Sequence, residues 1–231
     1  MNTLWLIPAR GGSKGIPDKN LKPFCGQSLV ARAIGQALEC KDSDDIVFVS
    51  TDSNAIKEES ERSGVEVPFL RPAPLASDTA SSYSVILHVL QEFKSLGIEF
   101  ERVVLLQPTS PFRKIEDIKE AISIWNSDMD MVVSVTASDS NPYYNLFEIN
   151  PEGFLKICKG SGQFTRRQDA PKVLEYNGAV YVMTVNSLLK KPISEFTRIF
   201  PYEMPKSRSI DLDTPEDWMV AEILFNKKQN S

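Results

Sequence analysis

Two hydrophobic periods alternate along this chain. Short continuous apolar runs rich in valine, isoleucine and leucine are separated by longer stretches whose apolar residues recur at helical spacing. Continuous runs are typical of strands buried on both faces, and their alternation with helices favours βαβ units and a parallel sheet. The predicted strands are Leu4–Ile7, Ile46–Val49, Val103–Leu106 and Met131–Val135, with a further candidate at Val65–Leu70.

The same α/β pattern resumes near the C-terminus. Gly178–Met183 reads as another strand, and Thr214 followed by Pro215 and two acids is a strong helix start. We therefore predict a Rossmann-like α/β fold of the nucleotidyltransferase type, in one domain over residues 1–231, with a mostly parallel sheet sandwiched by helices. The remaining predicted helices cover Leu29–Leu38, Ser53–Ser63, Val85–Phe93 and Ile115–Trp125.

Residues 138–176 interrupt this rhythm. Asn-Pro and Gly-Ser-Gly turns separate short apolar runs there, which predicts strands and loops outside the main sheet. An apolar segment that projects from a domain needs a partner surface, and a two-fold homodimer is the commonest solution. The alternative is that the segment folds back on its own domain. Its apolar members are Tyr143, Tyr144, Leu146, Phe147, Ile149, Phe154 and Leu155.

Charge and composition exclude several classes of function. The net charge of −5 over 231 residues gives no overall attraction to nucleic acid or to an anionic membrane, and no apolar run approaches a membrane span. The N-terminus does not read as a secretory signal. Three scattered cysteines, Cys25, Cys40 and Cys158, favour a reducing cytoplasm over a disulfide framework. The single histidine, His88, lies in a helical stripe, which argues against Ser-His-Asp, Cys-His and zinc sites.

The loop from Pro8 to Asn20 follows the first predicted strand. In an open α/β sheet, ligands bind beyond the carboxyl ends of the strands. Three glycines allow the loop backbone to approach an anion, and Arg10, Lys14 and Lys19 add positive charge. We expect a triphosphate site here, although the loop matches neither common nucleotide motif. The alternative is a flexible, solvated turn.

Asp211 and Asp213 form a second candidate site. On an extended segment, residues i and i+2 point to the same side, so the two carboxylates could converge on one Mg²⁺. The alternative is a polar loop that caps the last helix.

Other charged residues admit two interpretations each. Arg113, Arg166 and Arg167 could bind a carboxylate or phosphate in a forked geometry, although a surface role is the more usual one for any single arginine. Asp52, after the second strand, could be a helix cap or a site residue.

Ordered motifs along nearly the whole chain resemble those of the acylneuraminate cytidylyltransferases, the CMP-sialic acid synthetases. The glycine loop, Pro-Ala-Arg-Gly-Gly-Ser-Lys-Gly-Ile-Pro-x-Lys-Asn, resembles the opening motif of that family. The other matching stretches are residues 49–52 (Val-Ser-Thr-Asp), 70–72 (Leu-Arg-Pro), 75–78 (Leu-Ala-Ser-Asp), 105–111 (Leu-Leu-Gln-Pro-Thr-Ser-Pro), 177–181 (Asn-Gly-Ala-Val-Tyr) and 209–214 (Ser-Ile-Asp-Leu-Asp-Thr).

The resemblance implies a homodimer that joins CTP to a nine-carbon 2-keto sugar acid with Mg²⁺, releasing pyrophosphate. Lys19, Arg10 and Asp211 would be catalytic, and Asp211 and Asp213 would hold the metal. The resemblance does not name the general base, for which Asp211, acting through a metal-bound water, is our candidate. Gln107, Arg167, Asn177 and Tyr181 would bind the sugar acid. Asn20, Arg71 and Ser82 would read the cytosine. The full nucleotide-binding set would be Arg10, Gly11, Gly12, Ser13, Lys14, Lys19, Asn20, Arg71, Ser77 and Ser82.

Two features bear on the identity of the sugar. Members specific for N-acetylneuraminate often carry a basic residue two positions before the Asn-Gly pair, where this chain has Glu175. The strings at 141–145 and 166–169 are closer to legionaminate-type synthetases. A related transferase for another keto acid, such as the eight-carbon acid Kdo, and a non-catalytic nucleotide-binding regulator are the alternatives.

Overall fold

The computed structural model describes residues 2–229, with side chains up to residue 227. Its strands are β1 (Thr3–Pro8), β2 (Pro23–Phe24), β3 (Gln27–Ser28), β4 (Ile46–Ser50), β5 (Arg102–Leu106), β6 (Met131–Ala137), β7 (Phe147–Ile149), β8 (Leu155–Ile157), β9 (Leu174–Thr184) and β10 (Ile199–Glu203). Its helices are α1 (Leu29–Cys40), α2 (Asn54–Arg62), α3 (Ser82–Ser95), α4 (Ile115–Ile124), α5 (Val185–Leu188) and α6 (Pro215–Gln229).

Six strands form the central sheet, in the order β10-β6-β9-β5-β1-β4. β1 pairs in parallel with β4 on one side and with β5 on the other, and β10 is parallel to β6. β9 is the reversed strand, antiparallel to both β5 and β6. The predicted Rossmann-like, mostly parallel sheet flanked by helices is confirmed.

Two hydrophobic clusters hold the fold together. The larger contains the sheet strands and the helices that cover them, and residues 4–7 of β1 are at most 1% exposed. The smaller cluster includes Ile16, Phe24, Leu29, Leu212 and Trp218. It therefore joins the glycine loop and the start of α1 to the segment before α6, which are far apart in sequence.

The strand predicted at Val65–Leu70 is wrong, because this stretch adopts no strand pairing. Val65 and Val67 are buried, which produced the strand-like pattern, but Pro68 lacks a backbone donor. The stretch crosses the surface of the core and returns the chain to the sheet edge, where the Arg71 amide donates to the Thr51 carbonyl at 2.7 Å.

The segment between β6 and β9 projects from the sheet as an antiparallel β7–β8 hairpin. Phe147, Ile149, Phe154 and Leu155 are between 51% and 75% exposed, so the hairpin has an apolar surface that residues 2–227 leave uncovered. Strand β9 begins at Leu174, so the last three residues of the predicted 138–176 segment belong to the central sheet.

No helix within residues 2–229 combines the length and hydropathy of a membrane span.

Candidate active site

The candidate site lies beyond the carboxyl ends of β1 and β5. The chain leaves β1 toward β4 on one side, and it leaves β5 toward β6 on the other. Such a reversal of strand order opens a crevice at the sheet edge, where α/β proteins bind their ligands. The glycine loop enters this crevice from β1, and residues 107–111 enter it from β5.

The glycine loop is fixed in place by its second half. Ile16 is buried in the smaller cluster, and Lys19 donates to the Leu212 carbonyl at 2.7 Å and to the Asp213 carboxylate at 3.1 Å. At Gly15 an added Cβ would lie 2.2 Å from the Asp213 carbonyl oxygen, so only glycine fits. The loop is thus clamped to the segment before α6 rather than being a flexible turn.

Asp52 supports the first half of the loop. Its carboxylate accepts the Gly11 amide at 2.9 Å, while the neighbouring Ser53 caps α2 by accepting the Ile56 amide. Asp52 therefore contacts the glycine loop and is not the cap of α2, which is Ser53. The Gly11 amide is already used by the protein, whereas Gly12 has open space around it.

A cavity of about 300 Å³ lies between the loop and Asp213. The cations Arg10, Lys14 and Lys19 all line it, as the sequence suggested for a polyphosphate site. Its full lining is Pro8, Arg10, Ser13, Lys14, Gly15, Lys19, Asn20, Arg71, Thr109 and Asp213. We refer to it as the phosphate cavity.

Asp78 neutralises two of these cations in the structure. Its carboxylate lies 2.7 Å from Arg10 Nη2 and also pairs with the ammonium of Lys14. The hydrogen bonds from Lys14 and Arg10 lower the pKa of Asp78, so the aspartate is ionised at neutral pH. Arg10 is held independently by a 3.3 Å bond to the Ala76 carbonyl.

A second cavity of about 210 Å³, the base cavity, shares Arg10 and Arg71 with the first. Arg71 donates to Ser50 through Nε and Nη2, at 3.0 and 2.5 Å. Burial lowers its pKa to about 10, so it stays protonated at neutral pH. The full lining is Pro8, Arg10, Arg71, Leu75, Ser77, Asp78, Ala80, Ser82, Val85 and Leu105.

Asn20 does not line the base cavity, although the resemblance assigned it to the cytosine. It lines the phosphate cavity instead, and its side-chain amide donates to the Arg10 carbonyl at 2.9 Å. The side chain therefore supports the backbone of the glycine loop.

A register shift between β6 and β9 builds the third part of the site. The pairing changes between Val133 and Val135, and Ser134 at the shift donates to Asn177 Oδ1 at 2.6 Å. Asn177 Nδ2 in turn donates to Ser209 Oγ at 2.9 Å. Asn177 is buried and both ends of its amide are bonded, so it shapes the cavity wall.

Gly178 follows at φ +75°, a left-handed conformation that favours glycine. An added Cβ would lie 3.0 Å from Gln107 Oε1 and 3.6 Å from Asp211 Oδ2. The glycine thus allows these two side chains to approach β9.

Arg113 is buried, and its guanidinium donates hydrogen bonds to the carbonyls of Gln107 and Ala179. It therefore positions the loop after β5 and is not a ligand-binding arginine.

Gln107, Gly178 and Asp211 line a third cavity of about 300 Å³, here called the acceptor cavity. Burial raises the pKa of Tyr181 in its wall to about 12, so this phenol is neutral. Arg167 does not line it; the guanidinium is exposed on the projecting segment and pairs with Asp139 at 2.5 Å. The full lining is Gln107, Thr136, Glu175, Tyr176, Asn177, Gly178, Tyr181, Ser209 and Asp211, which includes two carboxylates and, among the described residues, no lysine or arginine.

Asp211 and Asp213 border different cavities. Leu212 between them is fully buried, Asp211 lines the acceptor cavity and Asp213 lines the phosphate cavity. Burial raises the pKa of Asp211, and its Oδ1 is buried without a hydrogen-bond partner among the described residues. An unpartnered buried carboxylate oxygen is chemically suited to a hard cation.

A sequence model of the cytidylyltransferase family matches residues 4–196. The chain belongs to the cytidylyltransferase family. The family resemblance drawn from the motifs is thereby confirmed, and so is the class of enzyme, a nucleotidyltransferase.

Relatives of this cytidylyltransferase extend over its full length. It is 35% identical over 234 residues to CMP-N,N'-diacetyllegionaminic acid synthase of Legionella pneumophila, covering 100% of this chain and 99% of that protein. It is also 35% identical over 232 residues to N-acylneuraminate cytidylyltransferase of Streptococcus agalactiae, covering 98% of this chain but 54% of that longer protein.

Its fold is shared with more distant solved structures. A CMP:2-keto-3-deoxy-manno-octonic acid synthetase complexed with CTP superposes with a TM-score of 0.70, over 99% of this chain and 100% of that one. At 17% sequence identity, this likeness shows the common fold alone.

Several residues border the cavities of this cytidylyltransferase although no functional role was predicted for them from the sequence. Asp78 was visible only as part of a matching motif, and nothing local indicated that it would reach Arg10. Thr136 lines the acceptor cavity with a buried hydroxyl that lacks a partner among the described residues. Its position at the end of a predicted strand was the one available signal.

Proposed function

We propose that this cytidylyltransferase joins CTP to a nine-carbon 2-keto sugar acid, either N-acetylneuraminate or a legionaminate-like acid. The observation that carries the proposal is the continuous order of base, phosphate and acceptor cavities along one sheet edge. Arg10 and Arg71 border the first two cavities, and the Asp211–Asp213 segment borders the last two. The names of the two relatives above, a legionaminic acid synthase and an N-acylneuraminate cytidylyltransferase, support this class of acceptor.

The base and the triphosphate would be bound separately. Arg71, Ser77 and Ser82 in the base cavity supply hydrogen-bonding groups for the cytosine. Arg10, Ser13, Lys14 and Lys19 supply positive charge and donors for the triphosphate. Gly11 and Gly12 belong to the proposed nucleotide-binding loop, and Gly12 has open space around it. In the proposed arrangement the α-phosphorus would face the acceptor cavity, so that catalysis depends largely on positioning the two substrates.

In the reaction, the anomeric hydroxyl of the sugar acid attacks the α-phosphorus. A new oxygen–phosphorus bond forms, the bond to the β-phosphate oxygen breaks, and pyrophosphate leaves. Arg10 and Lys19 stabilise the charge that develops on the leaving group. Asp211 is the proposed acceptor of the hydroxyl proton, because its carboxylate lines the acceptor cavity in which the attacking hydroxyl would lie.

Mg²⁺ is the proposed cofactor, held by Asp211 and Asp213. Two carboxylates suit this ion because Mg²⁺ normally completes its six positions with water and phosphate oxygens. The unpartnered Oδ1 of Asp211 supports the assignment. When bound, the ion would neutralise phosphate charge and favour departure of pyrophosphate.

We also propose a homodimer in which the partner subunit helps to bind the sugar acid. The acceptor cavity has no lysine or arginine among its described lining residues, yet the substrate is a carboxylate. Arg166 and Arg167 lie on the projecting segment, beside the exposed apolar hairpin. A two-fold dimer through this hairpin would supply these arginines to the neighbouring acceptor cavity.

A cytoplasmic location is part of the same proposal. The three cysteines are free in the structure, in keeping with a reducing compartment.

The decisive experiment measures pyrophosphate release with CTP, Mg²⁺ and a panel of sugar acids. The panel contains a diacetyllegionaminate, N-acetylneuraminate and the eight-carbon acid Kdo. We expect release with a nine-carbon acid and little with Kdo. Preference for Kdo would identify the related transferase, and CTP binding without release for any acid would identify a non-catalytic regulator.

A further inference from the structure

The cations of the phosphate cavity are already paired with an anion of the protein. Arg10 Nη2 lies 2.7 Å from Asp78 Oδ1, and Lys14 pairs with the other oxygen of the same carboxylate. One carboxylate thus bridges the two side chains that the proposed triphosphate needs. The geometry is that of an anion bound between a guanidinium and an ammonium.

Asp78 belongs to the segment that also forms the wall of the base cavity. It follows Ser77, and both residues line that cavity together with Arg10. The Asp78 side chain is 40% exposed, so water and an incoming ligand can reach it. Arg10 also donates to the Ala76 carbonyl at 3.3 Å through Nη1, a bond that does not involve the Asp78 carboxylate, so the guanidinium has a second anchor.

We propose that Asp78 determines the affinity for nucleotide by acting as a placeholder anion, which the nucleotide phosphates displace from Arg10 and Lys14. The inference rests on the proposed function, because it needs a polyphosphate as the natural ligand. A ligand must exchange these two ion pairs for its own, so the cavity favours a ligand with several negative charges over one with a single charge.

The test compares wild type with Asp78→Asn by isothermal titration calorimetry. The ligands are CTP, inorganic pyrophosphate, which lacks the base, and cytidine, which lacks the phosphates. Loss of the competing charge should tighten pyrophosphate and CTP binding by roughly tenfold and leave cytidine binding unchanged. The gain should shrink at high salt, because charge screening weakens the competition that the variant removes.

Asp139→Asn is the matched control. Asp139 is also an exposed aspartate that pairs with an arginine and a lysine, Arg167 and Lys206, but it lines none of the three cavities. This variant should bind pyrophosphate and CTP as wild type does. An equal gain in Asp139→Asn would show a general effect of net charge and overturn the proposal.

The remaining outcomes are also decisive. Weaker pyrophosphate binding by Asp78→Asn would make Asp78 a positioning residue and overturn the proposal. Failure of both Asp78→Asn and Asp78→Ala to fold would show that the ion pairs are structural, with the same consequence. By contrast, wild type that binds neither pyrophosphate nor CTP would refute the proposed function itself, independently of any variant.

Discussion

Lys19 and Asp213 form an ion pair of 3.1 Å across 194 residues of chain. The same ammonium also donates to the Leu212 carbonyl at 2.7 Å, and its side chain is only 13% exposed. The pair closes the glycine loop onto the segment before α6. It therefore connects the phosphate cavity to the aspartates proposed to hold Mg²⁺.

Gly15→Ala tests this closure. An added Cβ would meet the Asp213 carbonyl at 2.2 Å, so the loop and the segment before α6 must separate. We expect a loss of roughly 1–3 kcal/mol in the free energy of unfolding, together with weaker CTP binding. Chemical denaturation and CTP titration measure the two effects. Gly12→Ala has open space around the new methyl group and should unfold like wild type. Equal stability of the two variants would contradict the close contact at Gly15.

Asp211→Asn should separate activity from stability. Burial raises the pKa of Asp211, so folding is penalised when this group is ionised, and its contribution to stability falls as pH rises through the raised pKa. Without divalent cations at neutral pH, the neutral amide avoids this penalty, so the variant should be at least as stable as wild type. Turnover with Mg²⁺ should fall at least about a hundredfold, because a ligand to the ion and the proposed base are both lost.

Thermal unfolding and pyrophosphate release give the two readouts for Asp211. Near wild-type turnover at saturating Mg²⁺ would remove Asp211 from both proposed roles. A variant that is both inactive and destabilised would instead indicate that the carboxylate supports the fold.

Base selectivity is expected from the polar groups of the base cavity. UTP presents a different hydrogen-bonding edge, so Arg71, which already uses Nε and Nη2 on Ser50, would lose its proposed bond to the base. We expect CTP to be used at least about ten times faster than UTP at equal concentration. Ser82→Ala should reduce this ratio. Equal rates with both nucleotides would exclude cytosine reading by Arg71 and Ser82.

Asp130 should control stability in acid. Burial opposes its ionisation, but hydrogen bonds from the Arg198 amide, the Ser187 hydroxyl, the Thr197 amide and Lys191 outweigh it and hold the pKa well below 3.8. The stabilisation is complete above pH 3.8, the ordinary value, and is lost as pH falls below it. Asp130→Asn should lower the free energy of unfolding at neutral pH by about 2 kcal/mol. It should also flatten the loss of stability in acid, measured by denaturation between about pH 5 and pH 2. An unchanged acid profile would contradict the assignment.

The proposed dimer should depend on the β7–β8 hairpin. Wild type should scatter light with twice the chain mass of 25.9 kDa. Leu155→Asp inserts a charge into the exposed apolar face and should give monomers at micromolar concentration. Leu189→Asp is the control, since Leu189 is similarly exposed but follows α5. A monomeric wild type would refute the dimer.

A mixing experiment tests whether the two subunits share a site. Arg167→Ala and Asp211→Asn are each expected to be inactive as homodimers. If Arg167 serves the partner's acceptor cavity, mixed dimers contain one intact site and should regain activity. A mixture that stays inactive would show that each chain builds its own site.

The strands and helices of the α/β pattern could be predicted because hydrophobic runs and helix caps are local features of the sequence. The runs that became β1, β4, β5 and β6 are buried on both faces, so continuous hydrophobicity marked them directly. Val65–Leu70 was misread because burial alone imitates a strand, while pairing requires a free neighbouring edge and backbone donors. The start of α6 was found because helix capping depends on only four consecutive residues.

The fold class, the family and the loops that carry the candidate site could be predicted from the sequence, since these follow from periodicity and ordered motifs. Which side chains contact one another depends on the packing of the folded chain. In the folded chain, Asp78 pairs with Arg10 and Lys14. Asn20 donates to the backbone of the glycine loop and does not line the base cavity, and Arg167 does not line the acceptor cavity of its own chain. Such contacts join residues distant in sequence, and their ion pairs depend on distances of a few ångströms that no local pattern encodes.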